Sequence, residues 1–421
     1  MPSRKPTTSK LPALFVYLLA HFTSGFANKL VLTTYILYRV DVAQLDPLQL
    51  VLLGTIMEAS IFLFEIPTGV VADVYSRRVS VIAGFFLIGL GHAIEALAPL
   101  FWVIALSQFV WGFGSTFISG AFSAWVTDEV GTKNAGSAFL RGNQVSLAGN
   151  LLGIPFGVLL GSMSLGLPYL VGGGLYMLLA LFLLLFMPET GFKPVPAEQR
   201  EGWRSMFTTF NKGLAVIRGR PALVTFALIG LVLGLYSEAW DRLSQPFLLE
   251  RFDFPDLFGL SLGAIEWLGI LNVAFILASL AANYAVKRRV DTQKGANILR
   301  SLQGIYLGMV VAMLLFTLTR NFYLAIAAMI TFNGLRAVSF PLITAWINQQ
   351  IDSKVRATVL SITGQIDALG ELAGGPILGA VGRSLSMQAA LWASAATLAT
   401  TGPLFERIRR LTSQEKPKKS R

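Results

Sequence analysis

Hydrophobic positions in this chain fall in long unbroken blocks, separated by short polar breaks, from Leu11 to Phe405. Each block is near or above the ~20 residues that a helix needs to cross ~30 Å of hydrocarbon. Membrane barrels need short alternating strands instead, and that alternation is missing. The blocks predict twelve helical spans at about 11–37, 48–72, 79–98, 101–126, 139–162, 167–187, 221–246, 259–286, 295–318, 322–347, 357–382 and 385–405. The first block follows a basic leader but is far longer than a signal-peptide core and lacks a small-residue cleavage site, so it is expected to stay as span 1.

Composition agrees. Hydrophobic residues make up 54% of the 421 and charged residues 14%, with a mean hydropathy of +0.63, whereas soluble domains carry about 25% charged residues. The expected class is an all-α integral membrane protein. There is no cysteine, which excludes disulfides, thiol catalysis and cysteine metal sites, and His21 and His92 are the only imidazoles. No metal site and no cofactor is expected.

Charge sets the orientation. An even number of spans puts both ends on one side. Of 34 Lys and Arg residues, Arg39, Arg251, Arg320 and Arg383 fall in the loops of one side, Lys29, Arg242 and Arg336 lie within spans, and the rest crowd the other side. The positive-inside rule makes that side cytoplasmic, so both termini are expected there, in a multi-pass protein of the cell inner (plasma) membrane. The net charge of +11 then mostly reflects orientation. The basic tail, residues 406–421, suits anionic lipid better than nucleic acid, since no recognition motif accompanies it. Residues 188–220 form the longest connection. Within it Trp203, Phe207, Phe210, Leu214 and Ile217 share one helical face, while Arg200, Arg204, Lys212 and Arg218 lie mostly elsewhere, the pattern of an interfacial helix in a cytoplasmic linker.

The chain repeats itself. A shift of 221 residues carries Ala124-Trp125 onto Ala345-Trp346, Gln144 onto Gln365, Gly149 onto Gly370, Gly153 onto Gly374, Pro155 onto Pro376 and Gly161 onto Gly382. Six spans return the chain to its starting side, so residues 11–187 and 221–405 are expected to be parallel six-helix bundles.

One polar stretch, "EIPTGVVADVYSRR" at residues 65–78, concentrates charge at the inner end of span 2. Glycine, three residues, aspartate and then a basic pair (Gly69, Asp73, Arg77, Arg78) resembles the loop 2–3 signature of the major facilitator superfamily. "ANYAVKRR", with Asn283, Lys287 and Arg288, is a worn second copy. The resemblance covers essentially the whole chain: span count, duplicated halves, central linker and orientation. It implies twelve helices in two pseudo-symmetric bundles, secondary transport without a prosthetic group, and a cytoplasmic latch in which the aspartate holds the halves together and the glycine allows close helix approach. Val74 and Ser76 replace the family's usual basic residue and glycine, which implies a weaker latch. An ordinary positive-inside loop is the plainer reading. "GNLLGIPFG" in span 5 and "GELAGGPILG" in span 11 are similar to the superfamily's antiporter motif; helix packing around a proline kink explains them equally well.

Ionisable residues near the bilayer centre cost about 2.5–3.5 kcal/mol on insertion scales and default to function or pairing. At 1.5 Å per residue, Lys29 and Glu58 reach comparable depths, as do His21 and Glu65. Glu58 leads as proton-coupling group, with Glu65 and Asp367 in reserve; a satisfied structural ion pair is the competing reading. The resemblance assigns spans 1, 4, 7 and 10 to a central cavity, and their polar stripes are His21, Asn28 and Lys29; Gln108, Trp111 and Ser115; Glu238 and Asp241; Asn333, Arg336 and Phe340. Core packing is the plainer reading for Trp111 and Phe340, and Glu238 with Asp241 suits an outer gate or an exposed salt bridge. His92 and Glu95 are read as local hydrogen-bond partners.

No GxxxxGK[ST] phosphate loop and no HExxH zinc motif occurs. The expected function is proton-coupled efflux of small amphipathic molecules by a monomer in the lipid bilayer. Proton symport or uniport of a nutrient is the alternative, and a membrane enzyme acting on lipid a remote one.

Overall fold

The computed structural model describes residues 10–194, 211, 214–257, 259–351 and 353–414. Among them there is no strand, only an isolated antiparallel bridge between Leu257 and Leu260. The protein is all-α. Among the described residues, ten helices are long and apolar enough to cross a membrane. The other two expected spans coincide with a Gly-rich helix at Ser353–Ser384 and with a pair of shorter helices at Met387–Ala399 and Thr401–Gln414. Much of the expected linker helix, including Trp203, Phe207, Phe210 and Lys212, lies outside the described residues, as do residues 415–421 of the basic tail.

Two compact units are present, Met1–Leu45 with Ile56–Arg200, and Asp46–Thr55 with Glu201–Arg421. In the first, α1 (Ala13–Leu32) continues through α2 (Tyr35–Leu37) into a π-helical turn at Tyr38–Val42. Then come α3 (Pro47–Val74), α4 (Arg77–Leu97), α5 (Phe101–Ile118), α6 (Ala121–Val130), α7 (Thr132–Met163) and α8 (Leu167–Phe186). The expected fourth span is broken at Gly120, whose φ of +71° suits a residue without a side chain and separates α5 from α6.

Helices in lipid gain little from hydrophobic burial against one another, so close packing decides which of them meet. Gly149, Gly153 and Gly157 lay α7 along α1: a Cβ at these positions would collide with the carbonyls of Phe22, Phe26 and Leu30. The core of this unit gathers Tyr17, Phe85, Phe122 and Trp125, with Phe122 and Trp125 stacked 5.7 Å apart.

The second unit contains α9 (Pro221–Arg251), α10 (Ala264–Arg289), α11 (Gly295–Leu318), α12 (Phe322–Gln350), α13 (Ser353–Ser384), α14 (Met387–Ala399) and α15 (Thr401–Gln414). Here α13 packs along α9, as α7 does along α1, and Gly370 and Gly374 would strike the carbonyls of Leu231 and Leu235 if given a Cβ. Two of the glycine pairs matched by the 221-residue shift, Gly149 with Gly370 and Gly153 with Gly374, are therefore positions of close backbone approach. The buried rings of Trp240 and Phe332 lie 4.0 Å apart, tilted by 34°. Residues 46–55, read from sequence as part of the N-terminal half, group with the second unit. Small residues explain it: Gly379 meets Leu48 and Val51, and Gly382 meets Pro47.

Candidate functional site

The sequence "SEAWDRL" puts two acids and a base on one turn of α9. Glu238 and Asp241 are three residues apart and Glu238 and Arg242 four, so all three project from adjoining faces. Glu238 is buried and takes Arg242 Nε at 3.4 Å. Asp241 is met from α12 by Arg336, in a two-pronged pair with Nη1 on Oδ1 and Nη2 on Oδ2, the latter at 2.9 Å. A planar guanidinium matches a carboxylate in this way, which fixes orientation as well as charge.

The third element is α13. Gly234 and Gly370 bring its backbone onto α9, close enough for the Ser237 hydroxyl to lie 3.5 Å from Glu371 Oε1 while it donates to the Gly234 carbonyl at 3.0 Å. Glu371 is four residues after Asp367 and shares its face. Arg336, Asp241, Asp367 and Glu371 all lie within electrostatic reach of the buried Tyr236. The amide of Asn333 on α12 is turned onto the Met329 carbonyl at 2.9 Å. Gly54 sits against the Glu238–Arg242 pair, where any side chain would displace it. The second unit thus collects four carboxylates and two guanidiniums on helices of membrane-spanning length. Such a cluster can hold a cation or a proton, or exchange one partner for another.

In the first unit the expected residues are more dispersed. His21 stacks on Phe122 at 5.3 Å and meets Tyr17 edge-on at 4.3 Å. Asn28 and Lys29 on α1 and Glu58 on α3 are half-buried, whereas Glu65 is exposed. Trp111 packs against the core of the unit, Ser115 donates to the Gly112 carbonyl, and Phe340 of the second unit is 74% exposed.

Gln108 points elsewhere. Its amide donates to Glu95 Oε2 at 2.9 Å, within a network that sequence reading missed. Glu95 also receives Arg39 Nε at 2.8 Å and Nη2 at 3.1 Å, Ser107 Oγ at 2.8 Å and Tyr169 Oη at 2.8 Å. Arg39 and Glu95 are almost completely buried. Five donors thus converge on one buried carboxylate.

At the loop signature, Arg77 pairs with Asp128 and reaches Asp73 at 3.5 Å. Ser76 caps α4 by accepting from the Val79 amide at 3.0 Å and donates to Glu189 at 2.7 Å; the Arg78 amide donates to the same carboxylate at 2.9 Å. The serine that replaces the family's glycine therefore adds bonds to the loop. Among the described residues nothing lies within 4 Å of where a Cβ on Gly69 would be.

The comparisons with known proteins agree on one family. The Major Facilitator Superfamily model matches residues 17–374. An uncharacterized MFS-type transporter of Bacillus subtilis (strain 168), YxaM, is 24% identical over 370 residues, covering 87% of this chain and 88% of that one. Among solved structures, a mutant form of the nucleoside transporter NupG has a TM-score of 0.77 at 14% identity, covering 94% of this chain and 99% of its own. A POT family transporter in complex with a thioalcohol-conjugated peptide gives 0.72 at 14% identity, with 96% of each chain covered. These last likenesses are of fold.

Proposed function

The chain belongs to the Major Facilitator Superfamily and is a membrane transporter of that type, and on this premise we propose that it is a secondary transporter coupling proton entry to export of small amphipathic molecules. It works by alternating access, with twelve spans in two bundles, residues 11–187 and 221–405, joined by the 188–220 linker and followed by the 406–421 tail. Both termini are cytoplasmic in the plasma membrane, and one chain suffices.

The observation that carries this reading is the acid-rich cluster of Glu238, Asp241, Asp367 and Glu371 with Arg242 and Arg336, on α9, α12 and α13, the first two of which are long and apolar enough to cross the bilayer. Intramembrane ionisable groups are costly and mark pathways of ions or substrate. A cluster whose carboxylates outnumber its guanidiniums can accept a proton when an arginine changes partner. Glu58, with Glu65 and Asp367 in reserve, is the coupling carboxylate, and Asp241 and Arg336 act at the substrate cavity.

Import by proton symport is the second reading. The glycines flanking Pro155 are all spent on packing against α1, so the likeness of span 5 to an antiporter motif adds little weight to export. Inverted membrane vesicles separate the two. With an acidified lumen an exporter accumulates amphipathic dyes from a broad panel, and a symporting importer does not. Failure of every compound to move under either polarity of gradient would refute secondary transport itself.

A further inference from the structure

The two copies of the loop signature have opposite electrostatic fates. In the first, the basic pair is turned inward: Arg77 is taken by Asp128, the guanidinium of Arg78 by the Leu184 carbonyl, and its amide by Glu189. In the second, Asn283 stands where Asp73 would be and donates to the Ser279 carbonyl at 2.8 Å. Lys287, Arg288 and Arg289, the last turn of α10, are all exposed. Among the described residues none of them forms an ion pair; the nearby Asp291 is engaged by Lys294 at 3.5 Å. Arg288 lies over the ring of Tyr284 at 4.6 Å, and Tyr284 is itself 56% exposed.

Three cations and an amphipathic ring therefore end a helix of membrane-spanning length. Tyrosine sits at the level of the headgroups, where its ring is in the apolar zone and its hydroxyl in the wet one. The stacked guanidinium is held beside it with its donors free to fork onto phosphate oxygens. The C-terminal carbonyls of α10 favour cations at the same place. We propose that Tyr284, Lys287, Arg288 and Arg289 form a binding site for the phosphate headgroup of an anionic phospholipid. The second copy of the motif has thus exchanged protein carboxylates for lipid phosphate. Charge complementarity selects the occupant, since three cations at a bilayer surface repel a basic partner, and a zwitterionic lipid, with no net charge, leaves theirs uncompensated.

The test uses the full-length protein in detergent, titrated with phosphatidylglycerol or phosphatidylcholine, with thermal melting and native mass spectrometry as readouts. Phosphatidylglycerol is expected to raise the melting temperature and remain bound. The triple variant Lys287→Gln, Arg288→Gln, Arg289→Gln should lose that binding by about a hundredfold, each cation near an anionic surface being worth about a fivefold factor. Tyr284→Leu should weaken retention with the cations intact, which keeps the test decisive if the triple variant folds poorly. Removing exposed charge elsewhere in the same unit, by Arg251→Gln with Arg320→Gln, should leave binding unchanged. An equal loss in that control, an equal effect of phosphatidylcholine, or full replacement of the lipid by inorganic phosphate would overturn the site.

Discussion

Arg336 on α12 and Asp241 on α9 form a two-pronged ion pair between helices 95 residues apart in sequence. Both side chains are about one third exposed, so water screens the pair and its worth is below that of a buried one. Asp241→Asn keeps the shape and removes the charge, leaving the Arg336 guanidinium with a weaker partner. Stability is expected to fall by about 1–2 kcal/mol and transport by at least tenfold. The charge swap of Asp241→Arg with Arg336→Asp should recover stability better than either single change. Melting curves and vesicle transport of the three variants measure this, and strict additivity of the single effects would show that the two groups are not coupled.

Arg39 and Glu95 present the buried counterpart. Removing one partner from such a pair typically costs about 3–5 kcal/mol, because the other is left charged in a low dielectric. Glu95→Gln and Arg39→Met are each expected to reduce the yield of monodisperse protein sharply. Replacing both by apolar residues of similar volume, Arg39→Met with Glu95→Leu, should restore much of it. A double variant no better than the singles would mean that Ser107, Gln108 and Tyr169, stripped of their acceptor, dominate the loss.

The helices and the class were legible because hydrocarbon imposes a simple rule on composition and length. The close-packed glycines of α7 and α13 were legible too, through the repeat. The Arg39–Glu95 network was hidden for a physical reason. Counting positive charge placed Arg39 in a loop, but α1 runs on through Tyr35–Leu37 and the turn at Tyr38–Val42, carrying the arginine inside to a glutamate 56 residues away. Glu371 follows Asp367 by four residues on one face, a signal masked by the glycines and proline around it, which read as packing.

Gly69 and Gly153 should therefore respond oppositely to a methyl group. A Cβ at Gly153 meets the Phe26 carbonyl, a backbone atom that cannot swing aside. Gly153→Ala should destabilise by about 1–3 kcal/mol. At Gly69 the space is open among the described residues, and alanine in a helix interior is favoured over glycine by up to about 1 kcal/mol. Gly69→Ala should keep or raise the melting temperature. If the glycine serves a close approach in another state of the cycle, the same variant transports several-fold more slowly. Unchanged stability and unchanged transport together would remove Gly69 from the latch.

Glu58 carries the coupling assignment. It is half-buried on α3, seven residues before Glu65 on the same helical face. Glutamine preserves its size and hydrogen-bonding capacity but cannot release a proton. Glu58→Gln should retain exchange of labelled for unlabelled substrate, which needs only binding and rocking, and should lose accumulation driven by a pH gradient. Glu65→Gln, at an exposed carboxylate, should have the smaller effect. Gradient-driven accumulation that survives Glu58→Gln but disappears in Asp367→Asn would move the coupling proton to α13, where Asp367 shares a face with Glu371 and lies within electrostatic reach of Tyr236.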